Sequence, residues 1–234
     1  MSLKLSEMEL EDFDSMINHA QIFNVGDDLV GPPTPICWPV SSQSKAQERL
    51  QFHMSKQRAR FLGDRSAKYL KVIDENTNEI ISIARWHKYP NGYSYEKGIE
   101  WEIHSPVEGK PFPKEMNIEL HNFILSARDA ERENWMGKGE ACWILMHLVT
   151  RASHRNRGAA GMLINWGVEK ARVDRIPAYL EAGAMARPIY EKHEFQQTGE
   201  LMVLDLRAYG VGMDFVMAKM ELKPREKKDP ETAH

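Results

Sequence analysis

The stretch ACWILMHLVTRASHRNRGAAG, residues 141–161, joins an apolar run to a basic, glycine-containing loop. Residues 141–150 are almost continuously apolar, as is typical of a strand buried on both faces of its sheet. Arg155 and Arg157 follow this run, and arginine matches the geometry of a phosphate group. Four small residues then begin a helix predicted over 158–174 and leave its N-terminal amides open to an anion: Gly158, Ala159, Ala160 and Gly161. We therefore predict a phosphate-binding loop, with a basic helix start on the surface as the alternative.

Two familiar phosphate-binding patterns do not fit these residues. A P-loop requires a lysine directly after its last glycine, and the dinucleotide fold requires Gly-x-Gly-x-x-Gly. Arg155-x-x-Gly158-x-Ala160, placed after a buried strand, instead resembles the Gln/Arg-x-x-Gly-x-Gly/Ala motif of the GNAT superfamily of N-acetyltransferases. The segment AYLEAGAMARPIYEKHEF, residues 178–195, is similar to the family's next strand and helix, whose consensus is Leu-Tyr-Glu-Lys-x-Gly-Phe. The resemblance covers roughly residues 141–220, and the residues that match this consensus are Ile189, Tyr190, Glu191, Lys192 and Phe195.

Composition indicates a globular protein without a strongly charged partner. The 234 residues are 42% hydrophobic, which suits one large domain or two small ones with a substantial core. The 31 Lys and Arg against 34 Asp and Glu give a net charge of -3, which favours neither nucleic acid nor an anionic membrane as partner. Cys37 and Cys142 have no metal-ligand spacing, so we expect no metal site and two reduced core thiols. Because no apolar run approaches about 18 residues, we expect no membrane span and predict a cytoplasmic protein.

Hydrophobic periodicity and turn signals predict a single mixed α/β domain. Strands are predicted at 2–5, 69–73, 80–86, 141–150, 177–181, 201–206 and 215–220. Helices are predicted at 7–20, 44–62, 116–135, 158–174 and 184–193. Ser6 and Ser44 are the predicted N-caps of the first two helices. The four prolines of residues 31–40 predict a loop without regular structure.

The family resemblance implies a central, mostly antiparallel twisted sheet flanked by helices, with a parallel pair of strands that splay apart at the coenzyme A site. Residues 1–222 would form one such GNAT-like domain. It would contain an aromatic-rich insertion at about 87–114, which we expect to pack as a flap or pocket lid. Residues 223–234 are highly charged, and we expect this tail to be disordered.

The resemblance also implies acetyl-CoA as cosubstrate and indicates which residues bind it. In the family, the buried strand holds the pantetheine and the loop after it holds the pyrophosphate. The matching positions here are Leu148, Val149, Thr150, Arg155, Asn156, Arg157, Gly158, Ala159, Ala160 and Gly161. Two positions depart from the family pattern. Glu194 replaces the usual glycine, so we expect the helix to end in a different cap, and Gly183 replaces an asparagine near the pantetheine.

The implied reaction is direct transfer of an acetyl group from acetyl-CoA to a primary amine, which we expect to belong to a small molecule. Tyr190 is the expected acid that protonates the leaving thiolate, or else a packing residue of its helix. No base is evident, because Ile144 occupies the position where other members carry Glu or His. By strand alternation His147 should face away from Ile144 and Met146, which favours a core role.

Candidates for the acceptor pocket come from the aromatic-rich insertion and the strand before it. Trp86, Tyr95 and Trp101 would line the pocket, with Glu100 and Glu102 beside the site. One of Glu100, Glu102 and His104 is a candidate base acting through water, and water without a dedicated base is the alternative.

Two other functions stay open at this point. A protein or peptide N-acetyltransferase would need an open groove instead of a lidded pocket. A non-catalytic acyl-CoA-binding module would account for the missing strand carboxylate but not for the retained Tyr190. An edge strand near the C-terminus would also allow a homodimer.

Overall fold

The computed structural model describes residues 2–19, 24–94, 112–136 and 139–224. Its strands are β1 Leu3–Glu7, β2 Ala67–Asp74, β3 Glu79–Tyr89, β4 Cys142–Thr150, β5 Ala178–Ala182, β6 Gln196–Gln197, β7 Met202–Asp205 and β8 Asp214–Leu222. Its helices are α1 Leu10–Asn18, α2 Thr34–Cys37, α3 Gln43–Gly63, α4 Ile118–Trp135, α5 Ala159–Asp174 and α6 Arg187–Lys192. Short 3-10 turns follow β4 at Ala152–His154 and β7 at Arg207–Tyr209.

The strands form one mixed sheet in the order β1-β2-β3-β4-β5-β8-β6, and β7 pairs with the first half of β8. Every neighbouring pair is antiparallel except β4 and β5, which are parallel. This parallel pairing is short: Trp143–Leu145 lie opposite Ala178–Leu180, and the pairing stops there although both strands continue. The prediction of a mostly antiparallel sheet with one splayed parallel pair, flanked by helices, is confirmed.

The two faces of the sheet have different covers. α5 packs against one face, where Trp86 of β3 and Trp143 of β4 are buried with it. On the other face α1 and α3 pack over Tyr69 of β2, and residues at the end of α4 pack near Ile144 of β4. This division follows from the alternation of strand side chains between faces.

A β-bulge in β4 interrupts the alternation. Arg85 of β3 lies opposite His147, whereas the next β3 residue, Trp86, lies opposite Leu145, so Met146 is an extra residue in β4. An extra residue reverses the face that the following side chains occupy. Met146 and His147 consequently line the same cavity, on the α3 and α4 side of the sheet. The prediction that His147 faces away from Met146 is therefore wrong, because it assumed an unbroken strand.

Local capping moves several boundaries from their predicted places. β1 includes Ser6, the predicted cap, and α1 begins after Glu9, whose amide donates to the Asp12 carboxylate at 2.7 Å. Ser42 and not Ser44 caps α3, because its hydroxyl accepts from an amide of the first turn at 3.3 Å. The proline-rich loop contains α2, a single helical turn. Prolines are tolerated there because the amides of a first turn have no acceptor within the helix. The short strand β6 was not predicted.

A buried ion pair anchors the proline-rich loop to α3. Arg49 Nε lies 2.6 Å from the Asp28 carboxylate, and Arg49 Nη1 donates to the Trp38 carbonyl at 2.7 Å. All three residues are buried. The same loop touches the end of β4 at two points. The Gly26 carbonyl accepts from the amide of residue 152 at 3.4 Å, and a Cβ on Gly31 would lie 3.1 Å from the ring of residue 147.

Arg49→Met should lower the free energy of unfolding by about 3–5 kcal/mol, because it leaves the Asp28 carboxylate buried without its cation. Arg58→Met is a matched control on the same helix. Arg58 also contacts an aspartate, Asp14, at 2.6 Å, but its side chain is 35% exposed and that of Asp14 is 44% exposed. The control should lose less than about 1 kcal/mol. Urea denaturation measures both variants, and equal losses would show that the buried pair is no special anchor.

Candidate active site

Gly158 shapes the start of α5. Its φ of 91° is the left-handed conformation that favours glycine, and a Cβ placed there would meet no atom within 4 Å. The amide of Met162 donates to the Gly158 carbonyl at 3.2 Å, which is the first hydrogen bond of the helix. The preceding amides therefore have no helical acceptor, namely those of Gly158, Ala159, Ala160 and Gly161. Unobstructed amides at the positive end of a helix dipole suit a phosphate group.

Two carboxylates hold this loop in place. Arg157 Nη2 lies 2.5 Å from the carboxylate of Asp74 at the end of β2, and the Arg157 contact lowers the pKa of Asp74 below its usual range. Ser153 donates to Asp27 from its amide at 2.9 Å and from its hydroxyl at 2.8 Å. Burial acts to raise the pKa of Asp27, but the bonds from Ser153 outweigh it, so the pKa is lowered. Both aspartates are thus ionised at neutral pH, where they fix the loop.

The two loop arginines differ in whether a carboxylate neutralises their positive charge. Arg157 is tied to Asp74, so its charge is already compensated and it holds the shape of the loop. Arg155 is exposed and forms no ion pair within the part of the chain that the structure describes. The structure therefore separates two residues that the sequence pattern treats alike. Of the two, Arg155 offers the uncompensated charge to an anion at α5.

β4 has an unpaired edge beyond its last contact with β5. Exposure changes at that point, since Cys142–Leu145 are buried and residues 146–150 are half-buried. On the β3 side the strand remains bonded: the Ser82 hydroxyl donates to the Val149 carbonyl at 2.8 Å and lies 2.8 Å from Thr150 Oγ1. The backbone groups of residues 146–150 that point toward β5 have no strand partner among the described residues. The positions predicted to hold a pantetheine lie on this edge.

Tyr190 of α6 is packed into the core on the α5 side of the sheet. It is 6% exposed, and its ring meets that of Phe195 edge-on with 6.2 Å between centroids. Burial raises the pKa of the Tyr190 phenol, which stays protonated at neutral pH. Glu194 follows with a φ of 70°. It adopts the left-handed conformation that a glycine would adopt there, so the expectation of a different helix cap is wrong.

A cavity of about 550 Å³, including its open mouth, lies on the α3 and α4 side of the sheet beside Met146 and His147. Its other described polar lining residues are Thr34, His53, Lys56, Gln57, Arg85, His121 and Arg128. The rings of His53 and His147 lie 5.2 Å apart between centroids. The side-chain carbonyl of Gln57 accepts from Arg85 Nη1 at 2.7 Å and orients that guanidinium. The cavity thus meets β4 where its pairing with β5 has ended.

The structure removes Trp86 from the predicted acceptor pocket. Trp86 is fully buried beneath α5, and its Nε1 donates to the Leu163 carbonyl at 3.1 Å. Because side chains alternate along β3, Trp86 lies on the α5 side of the sheet and Arg85 lies on the cavity side. The other predicted pocket and base residues lie outside the described residues: Tyr95, Glu100, Trp101, Glu102 and His104.

Sequence reasoning missed the cavity residues that α3 contributes. His53 and Gln57 are four residues apart and therefore share one helix face, as their contact at 3.2 Å shows. That spacing was the available signal, but it does not say what the face meets. Only the packing of α3 over β3 and β4 directs it toward the cavity.

No family model and no curated protein matches the chain. Solved structures do match. The Corynebacterium glutamicum protein solved as "histone acetyltransferase HPA2 and related acetyltransferase" has a TM-score of 0.55 at 16% identity, covering 98% of this chain and 100% of its own. The mosquito arylalkylamine N-acetyltransferase like 5b has a TM-score of 0.55 at 9% identity, covering 94% of this chain and 99% of its own. An agmatine N-acetyltransferase has a TM-score of 0.53 at 11% identity, covering 95% of this chain and 99% of its own.

These similarities show that the chain has the fold of the GNAT N-acetyltransferases over nearly its whole length. The shared architecture agrees with the motif resemblance around Gly158 and Tyr190. In the described ranges, no helix combines the length and apolar character needed to cross a bilayer. The same ranges contain no group of three side chains suited to bind a metal ion.

Gly167→Ala should test the placement of Trp86 under α5. A Cβ on Gly167 would lie 2.2 Å from the buried Trp86 ring, so we expect a loss of about 1–3 kcal/mol in the free energy of unfolding. Gly183→Ala is the control, because no atom lies within 4 Å of its added Cβ, and its change should stay within about 0.5 kcal/mol. Thermal or urea unfolding measures both. A neutral Gly167→Ala would mean that the ring lies elsewhere.

Proposed function

We propose that the chain is an N-acetyltransferase that moves an acetyl group from acetyl-CoA directly to a primary amine of a small molecule. The observation that carries the proposal is the order of three features along β4. Its unpaired edge begins at Met146, the cavity opens at Met146 and His147, and the open start of α5 follows its end. One strand edge thus connects a site suited to phosphate with an open cavity lined by polar side chains.

The residues present fit acetyl-CoA. The open space at Gly158 admits a phosphate that a side chain would obstruct, and the exposed Arg155 adds a positive charge. The pyrophosphate would lie against the amides of residues 156–161, and the pantetheine would lie along Leu148–Thr150 as an added strand. When bound, acetyl-CoA supplies a thioester whose carbonyl carbon the amine nitrogen attacks while the carbon–sulfur bond breaks.

Two side chains are our candidates for moving protons in this reaction. His147 faces the cavity at the strand position where pairing with β5 has ended, so its imidazole is the candidate base for the acceptor ammonium. Tyr190 is the candidate acid for the leaving thiolate. Burial raises the pKa of its phenol, which keeps the proton in place at neutral pH but also makes the phenol a weaker acid. The two residues lie on opposite sides of the sheet. This arrangement suits an acceptor and a cosubstrate that approach from different sides.

The names of two similar structures support a small acceptor. Two of the similar structures are named for small amines, namely agmatine and arylalkylamines. A peptide acceptor would need a long open groove at this place.

Gly158→Glu should weaken acetyl-CoA binding by about 100-fold, because it adds a carboxylate at the phosphate position and strains the left-handed backbone. Gly210→Glu is a matched control. Gly210 also has a positive φ, 78°, and open space around it, but it lies in the turn after β7. Isothermal titration calorimetry with acetyl-CoA measures both variants. Equal binding by wild type and Gly158→Glu would exclude the phosphate site, and no binding by the wild type would exclude the cosubstrate.

Tyr190→Phe and His147→Gln should separate the two proton transfers. Tyr190→Phe should bind acetyl-CoA as the wild type does and lower kcat by about 10²–10⁴-fold. His147→Gln should remove the fall in kcat/KM toward acid pH that an imidazole base produces, because the imidazolium has no lone pair to accept a proton. Thiol release, measured with an amine found by screening, gives both pH profiles. An unchanged kcat in Tyr190→Phe would remove Tyr190 from the mechanism. An unchanged fall in kcat/KM toward acid pH in His147→Gln would remove His147.

A further inference from the structure

The cavity beside β4 has a positively charged lining. Three cationic side chains reach it from three different elements: Lys56 of α3, Arg85 of β3 and Arg128 of α4. Histidines 53, 121 and 147 also line it, and neither Asp nor Glu occurs among its described lining residues. Such a lining is unusual for a pocket that would receive a polycationic amine, because like charges in a pocket of low dielectric repel strongly.

Arg128 is a buried cation of this lining with an incompletely satisfied guanidinium. Its side chain is only 9% exposed, and its Nε has no hydrogen-bond acceptor among the described residues. The Asp129 carboxylate lies 3.6 Å from that nitrogen. Asp129 and Glu181 both bond to Arg132 instead, which reaches Glu181 Oε2 at 2.6 Å. An oxyanion in the cavity would place a second negative charge beside the Arg128 guanidinium.

Arg85 presents a second guanidinium to the same cavity. It is 4% exposed, and its Nη1 donates to the neutral side-chain carbonyl of Gln57 at 2.7 Å. Gln57 thus orients the guanidinium without contributing a negative charge. Guanidinium groups bind carboxylate and phosphate through paired N–H donors, and they do so most strongly away from water.

We propose that the acceptor is an amine that also carries an anionic oxygen group, a carboxylate or a phosphate, and that Arg128 and Arg85 bind this group. The proposal rests on the proposed acetyl transfer and narrows its substrate class. The cationic lining also favours the neutral form of the acceptor amine, because nearby positive charges lower the pKa of an ammonium. It disfavours agmatine and other diamines, whose second cation would enter the positive cavity.

Acceptor pairs that differ only in the anionic group test the proposal. The effect of a carboxylate is tested by comparing arginine with agmatine and tyrosine with tyramine. The effect of a phosphate is tested by comparing phosphoethanolamine with ethanolamine. We expect kcat/KM to be at least about 10-fold higher for the anionic member, either in the carboxylate pairs or in the phosphate pair. Which of the two shows the difference identifies the anionic group. Equal or higher kcat/KM for every uncharged or cationic counterpart would overturn the proposal.

Variants assign the preference to the cavity. Arg128→Gln should lower kcat/KM for the preferred anionic amine by about 10–100-fold and change that of its counterpart by less than about 3-fold. Lys56→Glu, at a half-buried position, should shift the preference toward agmatine. Lys4→Glu changes the net charge equally on exposed β1 and should leave the preference unchanged. Parallel losses for both members of a pair in Arg128→Gln would indicate a structural residue and contradict the proposed contact.

Failure of this proposal and failure of acetyl transfer give different results. Acetylation of agmatine, tyramine and ethanolamine alone would keep the transferase and overturn the anionic acceptor. If no amine is acetylated although acetyl-CoA binds, transfer fails, and calorimetric titration of the same pairs decides the remaining question. Binding of an anionic member to the wild type but not to Arg128→Gln would support the anion site, and equal binding of both members would overturn it.

Discussion

The parallel pairing of β4 and β5 ends after three residue pairs, and the arrangement of the site depends on that early end. The bulge at Met146 bends β4 at this point and turns the following side chains over. Arg132 of α4 bonds to Glu181 of β5 just past the last pair, so the second strand is held toward α4. The backbone edge thereby released cannot remain buried without partners. It must meet water or a ligand, which makes it the natural place for an extended molecule.

Two buried arginines hold the fold, and two others line the cavity. Arg49 has a carboxylate and a carbonyl in contact, and Arg132 has two carboxylates. These partners offset the cost of removing a cation from water. Arg128 lines the cavity, and the nearest carboxylate to its Nε among the described residues is that of Asp129, at 3.6 Å. The contrast within one molecule is the reason to interpret the cavity lining as part of a binding site and the other pairs as structural.

Much of the fold could be predicted because its signals are local. The apolar run at 141–150 and the small residues at 158–161 predict a buried strand and an open helix start, and the structure has both. The bulge could not be predicted, because it arises from the register between β4 and β3, which strand alternation alone does not contain. That one residue decides the placement of His147. The prediction that Trp86 lines the acceptor pocket was wrong for a related reason. An aromatic residue in a strand does not indicate which face of the sheet a helix will cover.

Capping errors had a different cause. Ser6 and Ser44 are good caps by type, but the chain continues β1 through Ser6 and begins α3 at Ser42, where a bonded amide is available. At Glu194 we expected a different helix cap, but this residue adopts the left-handed backbone conformation that is usual for glycine. The pairing of β1 with β2 includes Ser6, and Arg172 bonds the Glu194 carboxylate.

The central claim is that the unpaired edge of β4 and the start of α5 together bind acetyl-CoA. Amide hydrogen exchange read by mass spectrometry, with and without acetyl-CoA, tests it most directly, because it reports the backbone groups themselves. The account predicts slower exchange on ligand addition in peptides covering residues 146–150 and 156–161, with little change in β1 and β2. Unchanged exchange in both segments in the presence of saturating acetyl-CoA would contradict it.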